Sequence, residues 1–301
     1  MFDPWSRRRD FDVLHVFGSN YELCSFVETA KGLGLPVVVS VIAYSAKPCW
    51  MRKMWQCIDR FVPIPTTYRL RQRLYNRADR LIACSKSEAE QLSQWFRINL
   101  SKISLVPHGI EAERFRAACP EPFVERYGLS DFVLQVSRIN RLKGQARLIR
   151  ALEGTGVQVV FIGPLDPTDP KGVNEFRKLV DQHSWVHYLG ALNHDDSLLV
   201  SAYAAARVHV LPSITESLGL VTLETTSAGT AAVSGRYPSI YDYVGDLVYY
   251  CDLLSLKSIR EVVLRAYEEG PKPGARDYVL SNFSWHRVAE RLVEVYQEVM
   301  S

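Results

Sequence analysis

The sequence predicts an α/β protein with two doubly wound domains, in which helices cover both faces of a parallel sheet. Short apolar runs recur along the chain, and between them lie stretches whose apolar residues stand three and four positions apart. The chain has 301 residues, which is more than one compact domain of about 100 to 200 residues usually holds. These observations together favour two sheets over one.

The first domain is predicted at 1–106. Its apolar runs predict strands at 12–17, 36–42, 80–84 and 103–106, and its amphipathic stretches predict helices at 21–33, 68–77 and 87–96. A linker to the second domain is predicted after residue 106. Neither apolar runs nor amphipathic stretches continue there, and the segment contains Pro107, Gly109, Pro120 and Pro122.

The second domain is predicted at 107–284. Apolar runs predict strands at 132–136, 157–162, 186–189, 208–211 and 231–233, and amphipathic stretches predict helices at 145–152, 172–182, 197–206 and 220–228. The remaining segment, 285–301, is predicted to form a helix with Ser284 as its N-cap, and we expect it to cross back to the first domain. Ligands of such sheets bind beyond the carboxyl ends of the strands.

The composition is that of an ordinary globular protein, with 47% hydrophobic and 23% charged residues. The longest stretch without a charged residue, 32–46, is shorter than the roughly 20 residues that cross a bilayer. Six widely spaced cysteines form no metal-binding or disulfide pattern. We therefore expect a cytoplasmic protein with reduced thiols.

Positive charge is concentrated in the first domain, where 1–106 contain 16 Lys and Arg against 9 Asp and Glu. Most of the excess lies between Arg52 and Arg80. Two interpretations stay open: a solvated helical face, or a surface that meets anionic lipid or a phosphorylated substrate and would place the protein on the inner face of the membrane.

Two common phosphate-binding motifs are absent from the sequence. No G-x-G-x-x-G follows the first strand and no G-x-x-x-x-G-K-[ST] occurs, which argues against a dinucleotide dehydrogenase and a P-loop NTPase. Instead, Arg138 and Lys143 follow the strand predicted at 132–136. Two cations at the carboxyl end of a strand suit a diphosphate.

The segment "PSITESLGLVTLE", at 212–224, follows the strand predicted at 208–211. It places Glu216 in a loop, Gly219 and Leu220 at the start of a helix, and Glu224 about one turn into that helix. The free N–H groups of a helix start bind phosphate oxygens, and carboxylates accept hydrogen bonds from sugar hydroxyls. One short segment could therefore contact a sugar, a diphosphate and a ribose.

These motifs resemble those of retaining glycosyltransferases of family 4, which have the GT-B fold. The family's Glu-x7-Glu pattern is matched by Glu216 and Glu224, with Gly219 and Leu220 between them, and its Arg-x4-Lys-Gly loop by Arg138, Lys143 and Gly144. Weaker matches lie at 78–85, 106–110 and 283–285. The resemblance covers almost the whole chain and implies two Rossmann-like domains that face each other across a cleft, the first of them incomplete.

The resemblance also implies the chemistry. A hexosyl group would move from a nucleoside diphosphate sugar to a saccharide or lipid-linked acceptor with retention, during cell-surface polysaccharide, lipopolysaccharide or glycolipid synthesis. It implies no cofactor, no metal and no nucleic acid. Arg138, Lys143 and Glu216 would be catalytic. The implied donor-binding residues are Arg138, Lys143, Glu216, Ser217, Leu218, Gly219, Leu220 and Glu224.

Two departures from the family pattern stand out. The strand at 12–17 resembles one that family members reach only after earlier βα units, which predicts a fragment, a second chain that completes the sheet, or a product without activity. Family members often have a histidine near the position of Ile42, and that histidine approaches the donor sugar. His15 and His108 could replace it, but a lone histidine near the end of a strand more often forms structural hydrogen bonds than contacts a ligand. The alternatives are therefore a non-catalytic or partner-dependent nucleotide-sugar-binding subunit and, on the same fold, a sugar-nucleotide epimerase.

Overall fold

The structure is a computed structural model that describes residues 11–42, 59, 61, 66–214, 216 and 219–301. The chain divides into two compact units: one comprises Met1–His108 together with Val288–Ser301, and the other comprises Gly109–Arg287. Each unit has its own parallel sheet and its own buried core.

The first unit contains four parallel strands in the order β1-β2-β3-β4. The strands are β1 (Leu14–Phe17), β2 (Val37–Ser40), β3 (Arg80–Ala83) and β4 (Ile103–Leu105). The described helices between them are α1 (Leu23–Gly32), α2 (Thr67–Arg77) and α3 (Lys86–Phe96). The apolar run Val37, Val38 and Val39 is fully buried because helices pack on both faces of a parallel sheet.

Side-chain caps mark the starts of α2 and α3. Thr66 accepts a hydrogen bond from the Arg69 N–H at the start of α2. At the start of α3, Ser85 Oγ accepts from the Glu88 N–H at 3.2 Å, and Glu88 accepts from the Cys84 N–H at 2.7 Å. The bond to Ser85 satisfies a backbone donor that a helix start otherwise leaves without a partner, and Glu88 satisfies the N–H of the residue before the cap.

The second unit contains six parallel strands in the order β10-β9-β8-β5-β6-β7. The strands are β5 (Phe132–Val136), β6 (Val159–Ile162), β7 (Val186–Tyr188), β8 (Ala206–Leu211), β9 (Ala231–Gly235) and β10 (Tyr249–Cys251). The helices are α4 (Ala112–Arg116), α5 (Glu121–Tyr127), α6 (Gln145–Leu152), α7 (Pro170–Gln182), α8 (Ser197–Ala205), α9 (Leu220–Ser227), α10 (Pro238–Val244), α11 (Leu256–Glu269) and α12 (Ala275–Asn282). The strand order reverses direction between β5 and β8, and such switch points form ligand crevices.

The last helix is α13 (Trp285–Met300), and Ser284 caps it by accepting a hydrogen bond from the Arg287 N–H, as predicted. From Val288 onward it belongs to the first unit. Its Val288 and Val295 are buried in one cluster with Val38 of β2 and Ile82 of β3.

The structure corrects several predicted elements. Ala206, which was predicted to be helical, begins β8 and pairs with Phe132 of β5, because alanine's strong helix propensity is overridden by sheet pairing. The strand predicted at 157–162 begins only at Val159. β10 and the helices α4, α5, α10, α11 and α12 were not predicted. No helix among the described residues is both long and apolar enough to span a membrane.

Candidate functional site

The candidate site lies where the sheet order of the second unit reverses. β5 and β8 are parallel neighbours there, so the loops that follow them leave the same edge of the sheet. Two hydrogen bonds tie these loops together: the Ile214 N–H donates to the Leu142 carbonyl at 2.7 Å, and Arg147 Nη2 donates to the Pro212 carbonyl at 2.9 Å. The two motifs identified in the sequence therefore form one structural feature.

The basic loop after β5 has a well-defined conformation because polar side chains hold its backbone. Asn140 Oδ1 accepts a hydrogen bond from the Lys143 N–H at 3.0 Å. Gln135 donates to the Lys143 carbonyl at 2.8 Å, and Gln145 donates to the Arg138 carbonyl at 2.9 Å. Both glutamines are buried. Sequence reasoning missed their role, although a glutamine in the middle of an apolar strand is a signal that could have revealed Gln135.

Gly144 ends this loop with a φ of +75°, a conformation that L side chains rarely adopt. A Cβ atom at this position would lie 2.3 Å from the Pro212 carbonyl oxygen. The glycine therefore permits the close approach of the two loops, which is the structural reason for the Lys-Gly step in the motif.

Lys143 and Glu216 are brought together at the junction of the two loops. Lys143 Nζ lies 2.8 Å from Glu216 Oε2, and the side chains are 27% and 13% exposed respectively. A cation and a carboxylate thus meet in a partly shielded position, where electrostatic interactions are stronger than in open water. The pair presents opposite charges at neighbouring points, which suits a ligand with both an anionic group and hydroxyl groups.

Arg138 is not paired closely with either predicted acid. Its side chain is 61% exposed, and its Nη1 lies 4.0 Å from Asp166 Oδ2. Arg141, in contrast, forms an ion pair with Asp169 at 2.9 Å. Of the two arginines in the loop, Arg138 is therefore the one that retains freedom to meet an anion.

Asp166 stabilises the basic loop after β5 through the side chain of Asn140. It accepts hydrogen bonds from Thr168 and from the Asn140 amide at 2.8 Å. These hydrogen bonds, with a smaller contribution from Arg138, lower the pKa of Asp166 to about 2. The carboxylate is thus ionised at any ordinary pH and anchors the Asn140 side chain that caps the loop.

Glu224 lies in α9 and is buried. The Tyr203 hydroxyl donates a hydrogen bond to its Oε2 at 2.8 Å. Burial raises the pKa of Glu224, whereas the bond from Tyr203 and the charges of His194 and Arg114 lower it. Sequence reasoning missed Tyr203, and no pattern around that residue points to it.

The start of α9 has the predicted glycine. Gly219 has a φ of +58° and immediately precedes the first helical residue, Leu220. N–H groups in the first turn of a helix lack partners within the helix and attract anions. Ser217 and Leu218, which were also predicted to bind the donor, lie outside the described residues.

In the first unit the sequence drew attention to His15, Ile42 and His108. His15 is hydrogen-bonded through Nδ1 to Tyr296 at 2.6 Å and through Nε2 to Ser40 at 2.8 Å, and burial lowers its pKa to about 4. His15 is therefore a neutral link within this unit. Ile42 is 47% exposed, and burial lowers the pKa of His108.

The basic segment between Arg52 and Arg80 is only partly described, since Arg52, Lys53 and Arg60 lie outside the described residues. Three of its described arginines form ion pairs: Arg69 with Asp59, Arg73 with Glu28, and Arg80 with Glu298. Binding of this segment to anionic lipid stays a prediction, and part of its charge is already neutralised.

Comparisons with known proteins agree with this architecture. Residues 124–275 match the profile of the family "Glycosyl transferases group 1", and residues 2–114 match "Glycosyltransferase Family 4". The chain is 27% identical over 244 residues to the D-inositol 3-phosphate glycosyltransferase of Nocardiopsis dassonvillei, covering 74% of this chain and 57% of that enzyme. The enzyme of the same name from Mycolicibacterium smegmatis is 30% identical over 243 residues, covering 76% and 55%.

The chain thus spans a little more than half the length of these curated relatives. Among solved structures, Anabaena Alr3699/HepE in complex with UDP superposes with a TM-score of 0.79 at 16% identity, over 95% of this chain and 79% of that chain. The similarity confirms the predicted α/β fold of GT-B type. The chain belongs to the group 1 glycosyl transferases.

Proposed function

We propose that this protein transfers a hexosyl group from a nucleoside diphosphate sugar to a saccharide or lipid-linked acceptor, with retention of configuration and without a bound metal. The product would be a cell-surface polysaccharide or glycolipid. The observation that carries the proposal is the Lys143–Glu216 ion pair at the point where the strand order reverses. Family membership supports it, as does HepE, which has been solved with UDP-glucose.

Charge complementarity assigns a role to each group. The Lys143 ammonium and the exposed Arg138 guanidinium would meet the diphosphate, and the N–H groups at the start of α9 would add partial positive charge. Glu216 would accept a hydrogen bond from a sugar hydroxyl, and Glu224 would accept from the ribose. Lys143 would then exchange its present partner, Glu216, for a phosphate oxygen when the donor binds.

In the transfer step, the acceptor oxygen forms a bond to the anomeric carbon while the bond from that carbon to the β-phosphate oxygen breaks. The departing β-phosphate oxygen takes the electron pair of the broken bond, so negative charge develops on the diphosphate. That oxygen then accepts the proton that the acceptor hydroxyl releases. Lys143 and Arg138 would stabilise that charge as it develops, which is electrostatic catalysis by preorganised cations. Glu216 would stabilise the positive charge that develops on the sugar.

The proposal is tested with the purified chain by calorimetric titration with UDP and GDP. Nucleoside diphosphate release from UDP-glucose and GDP-mannose is then measured with added monosaccharides, or water alone, as the acceptor. We expect Lys143→Ala to lower the rate of release by about 100- to 1000-fold, the typical effect of removing one preorganised donor. Arg150→Ala is the matched control, because Arg150 forms an exposed ion pair with Glu175 on the neighbouring helix.

The outcomes separate the alternatives. Binding of a nucleoside diphosphate without turnover by the unmodified chain would indicate the non-catalytic or partner-dependent subunit. If neither nucleotide binds, the proposed site is wrong. If Lys143→Ala and Arg150→Ala have equal effects, Lys143 does not stabilise the leaving group.

A further inference from the structure

Glu224 has two carboxylate oxygens in unequal surroundings. Oε2 accepts the Tyr203 hydroxyl at 2.8 Å, whereas within the described part of the chain no hydrogen bond reaches Oε1. The residue is 8% exposed, so its carboxylate has little water with which to satisfy its remaining lone pairs. A buried carboxylate with one fixed oxygen is prepared to accept hydroxyl groups with the other.

Tyr203 is itself held rigidly in the core of the second unit. It is fully buried, and its ring packs edge-on against Phe115 with the ring centroids 5.7 Å apart. Its carbonyl accepts a hydrogen bond from Thr230 Oγ1 at 2.6 Å. A tyrosine fixed at its backbone and its ring directs its hydroxyl to one place, and Glu224 lies at that place.

We propose that Tyr203 is a positioning residue, whose buried hydroxyl fixes Glu224 Oε2 so that the carboxylate receives the vicinal hydroxyl groups of the donor ribose. The inference rests on the proposed function, since it assumes that Glu224 holds the ribose. Tyr203 does not touch the substrate, yet through Glu224 it determines how strongly the site prefers ribose to a sugar without these hydroxyls. Tyr203 therefore contributes to specificity and leaves the transfer step to other residues.

The charged surroundings of Glu224 make the effect pH-dependent. Burial raises the pKa of this carboxyl, and Glu111 raises it further; the Tyr203 hydroxyl, His194 and Arg114 lower it. Loss of the hydroxyl therefore moves the pKa upward. Because only the ionised carboxylate accepts both ribose hydroxyls, ribonucleotide affinity should fall with decreasing pH, and in a variant without the hydroxyl the fall should begin at a higher pH.

The test compares calorimetric affinities for UDP and GDP with those for their 2′,3′-dideoxy counterparts. We expect the unmodified chain to prefer the ribonucleotide by about tenfold or more, since hydrogen bonds to a charged group are lost with the hydroxyls. Tyr203→Phe should reduce this preference to threefold or less and shift the pH profile upward. A merely structural role would lower thermal stability and leave both readouts unchanged.

A matched control is available in the same unit. Tyr249 in the edge strand β10 is also buried, and it donates a hydrogen bond to Glu269 at 3.0 Å. Tyr249→Phe thus removes a similar bond at the edge of the sheet, in a strand that β9 separates from β8, and it should leave the nucleotide preference unchanged. If Tyr203→Phe fails to fold, Phe115→Leu loosens the tyrosine ring while keeping its hydroxyl and should also weaken the preference.

The possible results separate this inference from the proposed function. If the unmodified chain binds neither UDP nor GDP, the proposed function fails. If it binds a ribonucleotide with the expected preference and folded Tyr203→Phe keeps that preference and its pH profile, the role of Tyr203 is refuted. An unchanged preference in Phe115→Leu refutes it in the same way where Tyr203→Phe does not fold.

Discussion

Replacement of Gly144 by Ala tests whether close packing of the two loops stabilises the second unit. The residue has a φ of +75°, and an added Cβ would lie 2.3 Å from the Pro212 carbonyl oxygen. The left-handed conformation costs about 1–2 kcal/mol for an L side chain, and forcing a methyl group into a packed site costs about 1–3 kcal/mol more. We therefore expect the free energy of unfolding to fall by about 2–5 kcal/mol.

Gly154→Ala separates the two contributions. Gly154 has a φ of +73°, and none of the described atoms lies within 4 Å of its added Cβ, so this variant shows the backbone cost alone. Calorimetric melting measures both variants, and a unit of this size loses about 2–4 °C for each kcal/mol. Gly144→Ala should melt several degrees below Gly154→Ala. Equal melting temperatures would show that the loops yield without cost, and the packing argument would then be wrong.

Two further predictions concern stability, one in the first unit and one in the second. Ser85→Ala removes the cap of α3 and should lower the free energy of unfolding by about 1 kcal/mol, as measured by denaturant titration; a stability equal to that of the unmodified chain would contradict the capping role. Asp166→Asn should be less stable than the unmodified chain near neutral pH, because the folded-state pKa of Asp166 is lowered to about 2 from an ordinary value of 3.8. The stabilisation by the ionised carboxylate is present above pH 3.8 and disappears as the pH falls toward 2. The melting temperatures of the two proteins should therefore converge over that range. A constant difference would show that the Asp166 carboxylate is not the stabilising group.

Periodicity predicted most of the sheet-forming segments because buried parallel strands are continuous apolar runs. It failed for β10, Tyr249 to Cys251, although β4 and β7 are equally short and were predicted. The helices α4, α5 and α10 have only five to seven residues each, which is too few to show a helical period.

The sequence likewise predicted only part of the candidate site. The motifs indicated that Lys143 and Glu216 follow strands, but their contact depends on β5 lying beside β8, and strand order is a tertiary property. Tyr203 belongs to an almost wholly apolar helix, so nothing local distinguishes it from a core residue. Only the packing of α8 against α9 brings it to Glu224.

The position of α13 has a consequence for synthesis of the chain. The buried cluster that contains Val38 and Ile82 also includes Val288 and Val295, which are translated more than two hundred residues later. All residues of Gly109–Arg287 precede Val288 in the chain. Because nascent domains fold as their residues become available, the sheet of the first unit reaches its final state only after Gly109–Arg287 have been translated. Until then, one apolar face of that sheet is open to chaperones.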